Sequence, residues 1–222
     1  MLSYETILAI FGNVIYVALG AAAIYGVFLV ILLMRRVAQK RFSSIKAEAE
    51  FSETIREFLR NKDFESVAAH CDSPGLWNKA APQLVLLAIS HPELSINKMR
   101  QMLAEKFERD ILAEIEYRTS WVATIVKSAP MLGLLGTVVG MINAFGKIAS
   151  MKQTGMDATA LANDISFALF TTAMGLAVAI PLVLAGAALH VRISKLQDSV
   201  QQVIGDFLAD WDEVRPKKEI SA

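Results

Sequence analysis

The sequence predicts an all-α membrane protein: three transmembrane helices, two of them long and extending into a cytoplasmic helical domain. Three observations carry this. Residues 7–34, 128–146 and 165–191 are apolar and contain no Lys, Arg, Asp or Glu, and a membrane span needs roughly 20 apolar residues at about 1.5 Å rise each. The chain is 54% hydrophobic with a mean hydropathy of +0.42, above the roughly 45–50% apolar content of soluble domains. The polar remainder repeats its apolar residues at helical spacing.

The first stretch, residues 7–34, carries Asn13 as its only amide. A secretory signal is the competing reading, with Ala21-Ala22-Ala23 offering small residues for cleavage. No Lys or Arg precedes the stretch, and it exceeds the ~7–15 residues of a signal core. It reads as a retained anchor. Arg35, Arg36, Lys40 and Arg41 follow directly, whereas only Glu5 precedes it. The positive-inside rule therefore places the N-terminus in the periplasm and Arg35 in the cytoplasm. The second span then runs outward and the third inward, with Arg192 and Lys195 again inside. Lys127 fits the same orientation by snorkelling to the inner interface. The organisation that follows is 1–42, first span and basic flank; 43–118, cytoplasmic helical region; 119–150, second span; 151–163, short periplasmic loop; 164–192, third span; 193–222, cytoplasmic C-terminal helix and tail.

Within 43–118, Phe51, Ile55, Phe58 and Leu59 form one apolar stripe. Asn61-Lys62-Asp63 breaks the pattern, with Asp63 an N-cap for a helix to Cys71. Asp72-Ser73-Pro74-Gly75 is a turn. An apolar helix over 77–90, with Pro82 near its start, ends at His91-Pro92. Ser95 is the expected cap of a long helix carrying Met99, Leu103, Phe107, Ile111 and Ile115 on one face. No breaker intervenes before Pro130, so this helix is expected to run on into the second span. Leu196, Val200, Val203 and Phe207 extend the third span as a cytoplasmic helix. The end, 216–222, reads as frayed. There is no internal repeat.

Composition excludes several classes. Lys plus Arg and Asp plus Glu each number 22, so no general attraction to nucleic acid is implied. The one cysteine, Cys71, forms no disulfide framework and reads as a small buried residue or an inert thiol. No glycine loop precedes a Lys, and His70, His91 and His190 lack metal-ligand spacing, so no enzyme chemistry, metal or cofactor is expected. His190, a conceivable pH sensor, reads as an interfacial residue near a helix end. Trp121 reads as an aromatic-belt anchor, and Trp77 and Trp211 make no binding box with it.

The small and hydroxyl residues of the spans are more informative. Ala129, Gly133, Gly136, Gly140 and Ala144 give the second span small-x-x-x-small spacings. Gly175 with Ala179, and Ala18, Ala22 and Gly26, do the same in the third and first. Such spacing lets helix backbones approach closely in lipid, within a subunit and between subunits. Thr137, Thr171 and Thr172 fall at mid-membrane depth. Each can bond a carbonyl one turn back, but three at similar depth point to a polar lumen. A proton path needs a titratable group at that depth. Asp164, at the outer lip of the third span, is the nearest carboxylate and reads mainly as a helix N-terminal charge. If the chain conducts, the acid comes from a partner.

At these residues the chain resembles the MotA/TolQ/ExbB proton-channel family. The match lies in Ala129-Pro130-Met131-Leu132-Gly133-Leu134-Leu135-Gly136-Thr137-Val138-Val139-Gly140. It continues in Ile165, Ala168-Leu169 and Thr172-Ala173-Met174-Gly175-Leu176-Ala177-Val178-Ala179-Ile180-Pro181. Three spans resemble ExbB and TolQ more than the four-span MotA. The resemblance implies a homopentamer in the bacterial inner membrane around helices of an ExbD- or TolR-like single-span partner. The partner's membrane aspartate would carry the proton, and flow would drive work on the cell envelope. Thr137 and Thr172 match the pore-lining threonines; Gly133, Gly136, Gly140, Gly175, Pro130 and Pro181 match packing positions. One departure is Phe167, where many ExbB and TolQ members carry glutamate. Asp164, one turn outward, is one substitute; another is the Thr171-Thr172 pair, whose oxygens suit Na+. The remaining alternatives are a sodium- or proton-driven stator of another surface machine and a non-conducting scaffold.

Overall fold

The computed structural model of the chain describes residues 4–150 and 158–215, and these are helical apart from short turns. The helices are α1 (Tyr4–Lys40), α2 (Ile45–Arg60), α3 (Phe64–Cys71), α4 (Ala80–Ile89), α5 (Ile96–Phe107), α6 (Ala113–Ser150) and α7 (Ala158–Val214), with a π-turn (Glu108–Leu112) joining α5 to α6. Among the described residues three helices are long and apolar enough to cross a membrane, in α1, α6 and α7. Residues 151–157 of the expected loop, and the end expected to fray at 216–222, lie outside the described residues. Residues 158–163 are the first turns of α7, upstream of the expected start at 164.

The chain divides into two compact units, one from Met1–Leu32 and Arg118–Ala188, the other from Leu33–Tyr117 and Leu189–Ala222. The second unit has its own core. Ser44 caps α2 by accepting the Ala47 N–H at 3.1 Å, and the α2 stripe Phe51, Ile55 and Leu59 is buried. The chain leaves α2 through Lys62 at φ 58°, and the Asp63 N–H returns to the Phe58 carbonyl at 3.0 Å. This is a left-handed helix stop of the kind glycine usually serves. Asp63 caps α3 as expected: its carboxylate accepts the Ser66 N–H at 3.0 Å and the Ser66 hydroxyl at 2.6 Å. Cys71 is buried, which pushes its thiol up to about 12 and leaves it inert.

Two expectations shift. The helix expected from Trp77 starts at Ala80, because 73–79 are wound into turns, with Leu76 N–H on the Ser73 carbonyl at 2.9 Å and Lys79 N–H on that of Leu76 at 2.8 Å. The Lys79 ammonium is drawn onto the Arg41 carbonyl at 2.6 Å. Pro82 is then the third helical residue, where the missing N–H has no partner to lose. Ser95 occupies the N-cap of α5 but its side chain makes no cap hydrogen bond.

The long helix onward from Ile96 is continuous, but it contains the π-turn. The reason lies in the stripe. Met99, Leu103, Phe107, Ile111 and Ile115 step by four, and four residues of α-helix overshoot a full turn by about 40°. After four steps the stripe would have drifted by about 160°. The wider turn takes up an extra residue and brings it back, so that Phe107, Ile111, Leu112 and Ile115 are all buried.

Trp211, 1% exposed, stands in the core of this unit, with Phe64 edge-on at 5.2 Å and Phe207 stacked at 5.8 Å. Trp77 is exposed, so these two tryptophans share no box. Polar ties link distant segments of the unit: Arg56 to Asp210 at 3.1 Å, Arg36 to Glu114 at 2.5 Å, and the Ser199 hydroxyl to Glu48 at 2.5 Å.

Candidate functional site

In the first unit α6 and α7 run antiparallel and meet through their small residues. A Cβ placed on Gly133 would stand 2.8 Å from the Thr171 carbonyl oxygen, and one on Gly175 would stand 2.6 Å from that of Ala129. One on Gly140 would stand 2.6 Å from the Ala168 Cβ and 3.0 Å from the Asp164 carbonyl, and one on Gly136 would fall on the Thr171 side chain. The expected packing glycines therefore form one seam in which backbone touches backbone. Of the two prolines expected to pack, Pro130 is half-buried and Pro181 is exposed. Beside Pro181, Leu182 does the packing, with its Cδ1 2.6 Å from where a Gly26 Cβ would sit.

The three threonines separate. Thr171 is fully buried, and its hydroxyl donates to the Ala168 carbonyl at 2.7 Å, with the Gly133 carbonyl at 3.3 Å. It is sealed inside the seam and faces no lumen beyond the subunit. The physical reason is simple: adjacent residues on a helix do not share a face. Thr172 is half-buried and donates across the seam to the Gly133 carbonyl at 3.0 Å. Thr137, one turn further along α6, is half-buried and donates to the Leu134 carbonyl at 2.6 Å. Thr137 and Thr172 thus keep part of their surface open, and their protons are held by backbone oxygens. A hydroxyl so committed offers only its lone pairs.

Phe167 turns to α1. Its ring meets Tyr16 edge-on at 5.0 Å and 85°, and it lies over Gly12, where a Cβ would be 3.0 Å from its Cζ. The position where the resemblance places a glutamate is filled by an aromatic clasp. Asp164 is the seventh residue of α7 rather than its cap, and its Oδ2 lies 2.7 Å from the Lys147 ammonium of α6. Among the described residues no three His, Cys, Asp or Glu side chains are grouped to hold a metal ion. Neither Tyr16 nor Lys147 was singled out by the sequence pattern. The signal for Lys147 was present: it and Asp164 are opposite charges at adjoining ends of two antiparallel spans.

Residues 77–202 match the sequence profile of the MotA/TolQ/ExbB proton channel family. The chain belongs to this family. It is 32% identical over 116 residues to the Tol-Pal system protein TolQ of Haemophilus influenzae, covering 52% of this chain and 50% of that protein. It is 30% identical over 186 residues to the biopolymer transport protein ExbB of Neisseria gonorrhoeae, covering 75% and 81%. With the biopolymer transport protein ExbB of Pseudomonas putida it shares 31% identity over 149 residues, covering 66% and 43%. The chain thus spans about half the length of several relatives it matches, TolQ among them. The family profile takes in both sides of the seam and α7 as far as residue 202, and family membership together with three membrane-length helices makes the chain a multi-pass membrane protein.

Proposed function

We propose that this chain is the channel subunit of an ExbB/TolQ-like motor in the bacterial inner membrane. Its copies, five by the resemblance, form a ring around helices of an ExbD- or TolR-like single-span partner. The proton motive force is coupled there to work on the envelope, in transport or in envelope integrity. The N-terminus faces the periplasm and the C-terminus the cytoplasm.

One observation carries the reading. Thr137 and Thr172 stay half-open at the seam, with their protons committed to backbone carbonyls. The three apolar stretches around them contain no carboxylate. Oxygens that only accept are suited to a protonated acid or a hard cation, and the subunit does not bring that acid itself. The partner's carboxylate supplies it. Thr171, buried in the seam, holds helices together and is not in the path.

Replacing Thr172 by Val keeps the branched shape and removes the hydroxyl. In membranes containing the partner, Thr172→Val is expected to lower ion-driven activity roughly tenfold, the worth of one hydrogen bond in an apolar site, with assembly intact. Unchanged activity would falsify the role of Thr172.

A further inference from the structure

Asp164 is the carboxylate closest to the apolar stretches, and the seam explains what it does. Asp164, Ala168, Thr171 and Gly175 recur every three or four residues of α7, which is the face packed on α6. At Gly140 the α6 backbone comes close enough for a Cβ to stand 3.0 Å from the Asp164 carbonyl. Two turns further along α6, Lys147 brings its ammonium to 2.7 Å from Asp164 Oδ2. The Asp164 side chain is only 19% exposed, that of Lys147 43%. Oδ2 is itself enclosed by protein, and its contact with Lys147 is ionic rather than a well-aligned hydrogen bond. A charge so placed gains from its partner and is penalised without it.

We propose that Asp164 and Lys147 form a clamp that fixes the spacing of α6 and α7 at the outer end of the seam. Asp164 is a positioning residue, not a relay for the ion. The first statement rests on the geometry alone; the second also rests on the function proposed above. The clamp fixes the ends of α6 and α7 about two to three turns beyond Thr137 and Thr172, while leaving all ion-carrying acid to the partner.

The test uses the full chain purified in detergent with its co-expressed partner, and compares Asp164→Asn, Lys147→Gln, the double variant, and the exchange Asp164→Lys with Lys147→Asp. A double-mutant cycle isolates this pair from Lys147's other contacts. A clamp predicts that each single variant lowers the melting temperature by several degrees, that the double loses less than the sum, and that the exchange recovers most of the loss. It also predicts that the exchange retains ion-driven activity, since a relay would need its carboxylate on α7. Additive losses with no recovery in the exchange overturn the clamp. Lost activity in Asp164→Asn with an unchanged melting temperature makes Asp164 a relay and overturns the proposal. Melting reports the clamp whatever Thr172→Val does, so failure of the channel reading is seen separately.

Discussion

Lys62 holds a backbone conformation, φ 58°, that a side chain makes unfavourable. The left-handed region costs a non-glycine residue roughly 1–2 kcal/mol, and glycine relieves that at some loss of unfolded-state entropy. Lys62→Gly is therefore expected to stabilise the second unit by about 1 kcal/mol, read as a higher melting temperature in detergent. The neighbouring Asp63 gives a pH signature. The Ser66 hydroxyl and then the Ser66 N–H hold its carboxyl below the usual range. A depressed folded value means the cap's ionic contribution is present above the unfolded value and fades as pH falls through the folded one. Asp63→Asn keeps an acceptor and loses the titration. Its melting-temperature deficit should be present near pH 7 and shrink as pH falls below the usual carboxylate range; a deficit that stays constant through acid would argue against the ionised cap. Both residues were legible in the sequence because capping is local: Asn61-Lys62-Asp63 followed by Phe64 signals a stop and a start within a few residues. Thr171 was not separable from Thr172 by composition. Only the orientation of α7 against α6 decides which of the two adjacent hydroxyls is sealed.

At the scale of elements, the seam makes the firmest demand. A methyl group on residue 175 would press into the Ala129 backbone carbonyl, which has no rotamer to change. Gly175→Ala is expected to destabilise the protein by about 1–3 kcal/mol, the range for overpacking. Gly186→Ala, where a Cβ meets nothing within 4 Å, is the matched control and should be near neutral. Equal melting temperatures for the two would contradict the seam. The spacing of Gly133, Gly136, Gly140 and Gly175 announced close helix approach, because small residues at every turn have few other uses in lipid. The π-turn was also written in the chain, as a stripe stepping strictly by four. A reading that counts apolar positions without adding up their angles sees one face there. The start of α4 was misplaced for another reason: Trp77 is apolar but exposed, and hydrophobic patterning assigned it to a helix that the turns of 73–79 exclude.

For the whole molecule, all-helical architecture and three membrane-length segments followed from hydropathy alone. Span limits did not. The apolar run 7–34 would be about 42 Å long as a helix, against roughly 30 Å of hydrocarbon. Gly26 packs at Ile125, three residues before the apolar stretch 128–146 of the second span. Residues 27–34 therefore run beside the polar approach to that span, and apolarity overstates what the bilayer covers. Assembly is the property that a single chain's sequence expresses least. The ring predicts that the detergent-purified protein, corrected for bound detergent, has a mass of five subunits, and more with the partner; with one subunit at 24.3 kDa, a monomeric mass would end the ring proposal. The seam bears on how such an assembly would move. Flexible proteins bend where side chains can swap rotamers, and between Gly133 and Gly175 there is no such soft layer. The two helices make a single stiff stave. In the proposed ring, strain applied at one subunit would then be relieved at the joints between staves, and the sliding surfaces would be those between neighbours and around the partner's helices.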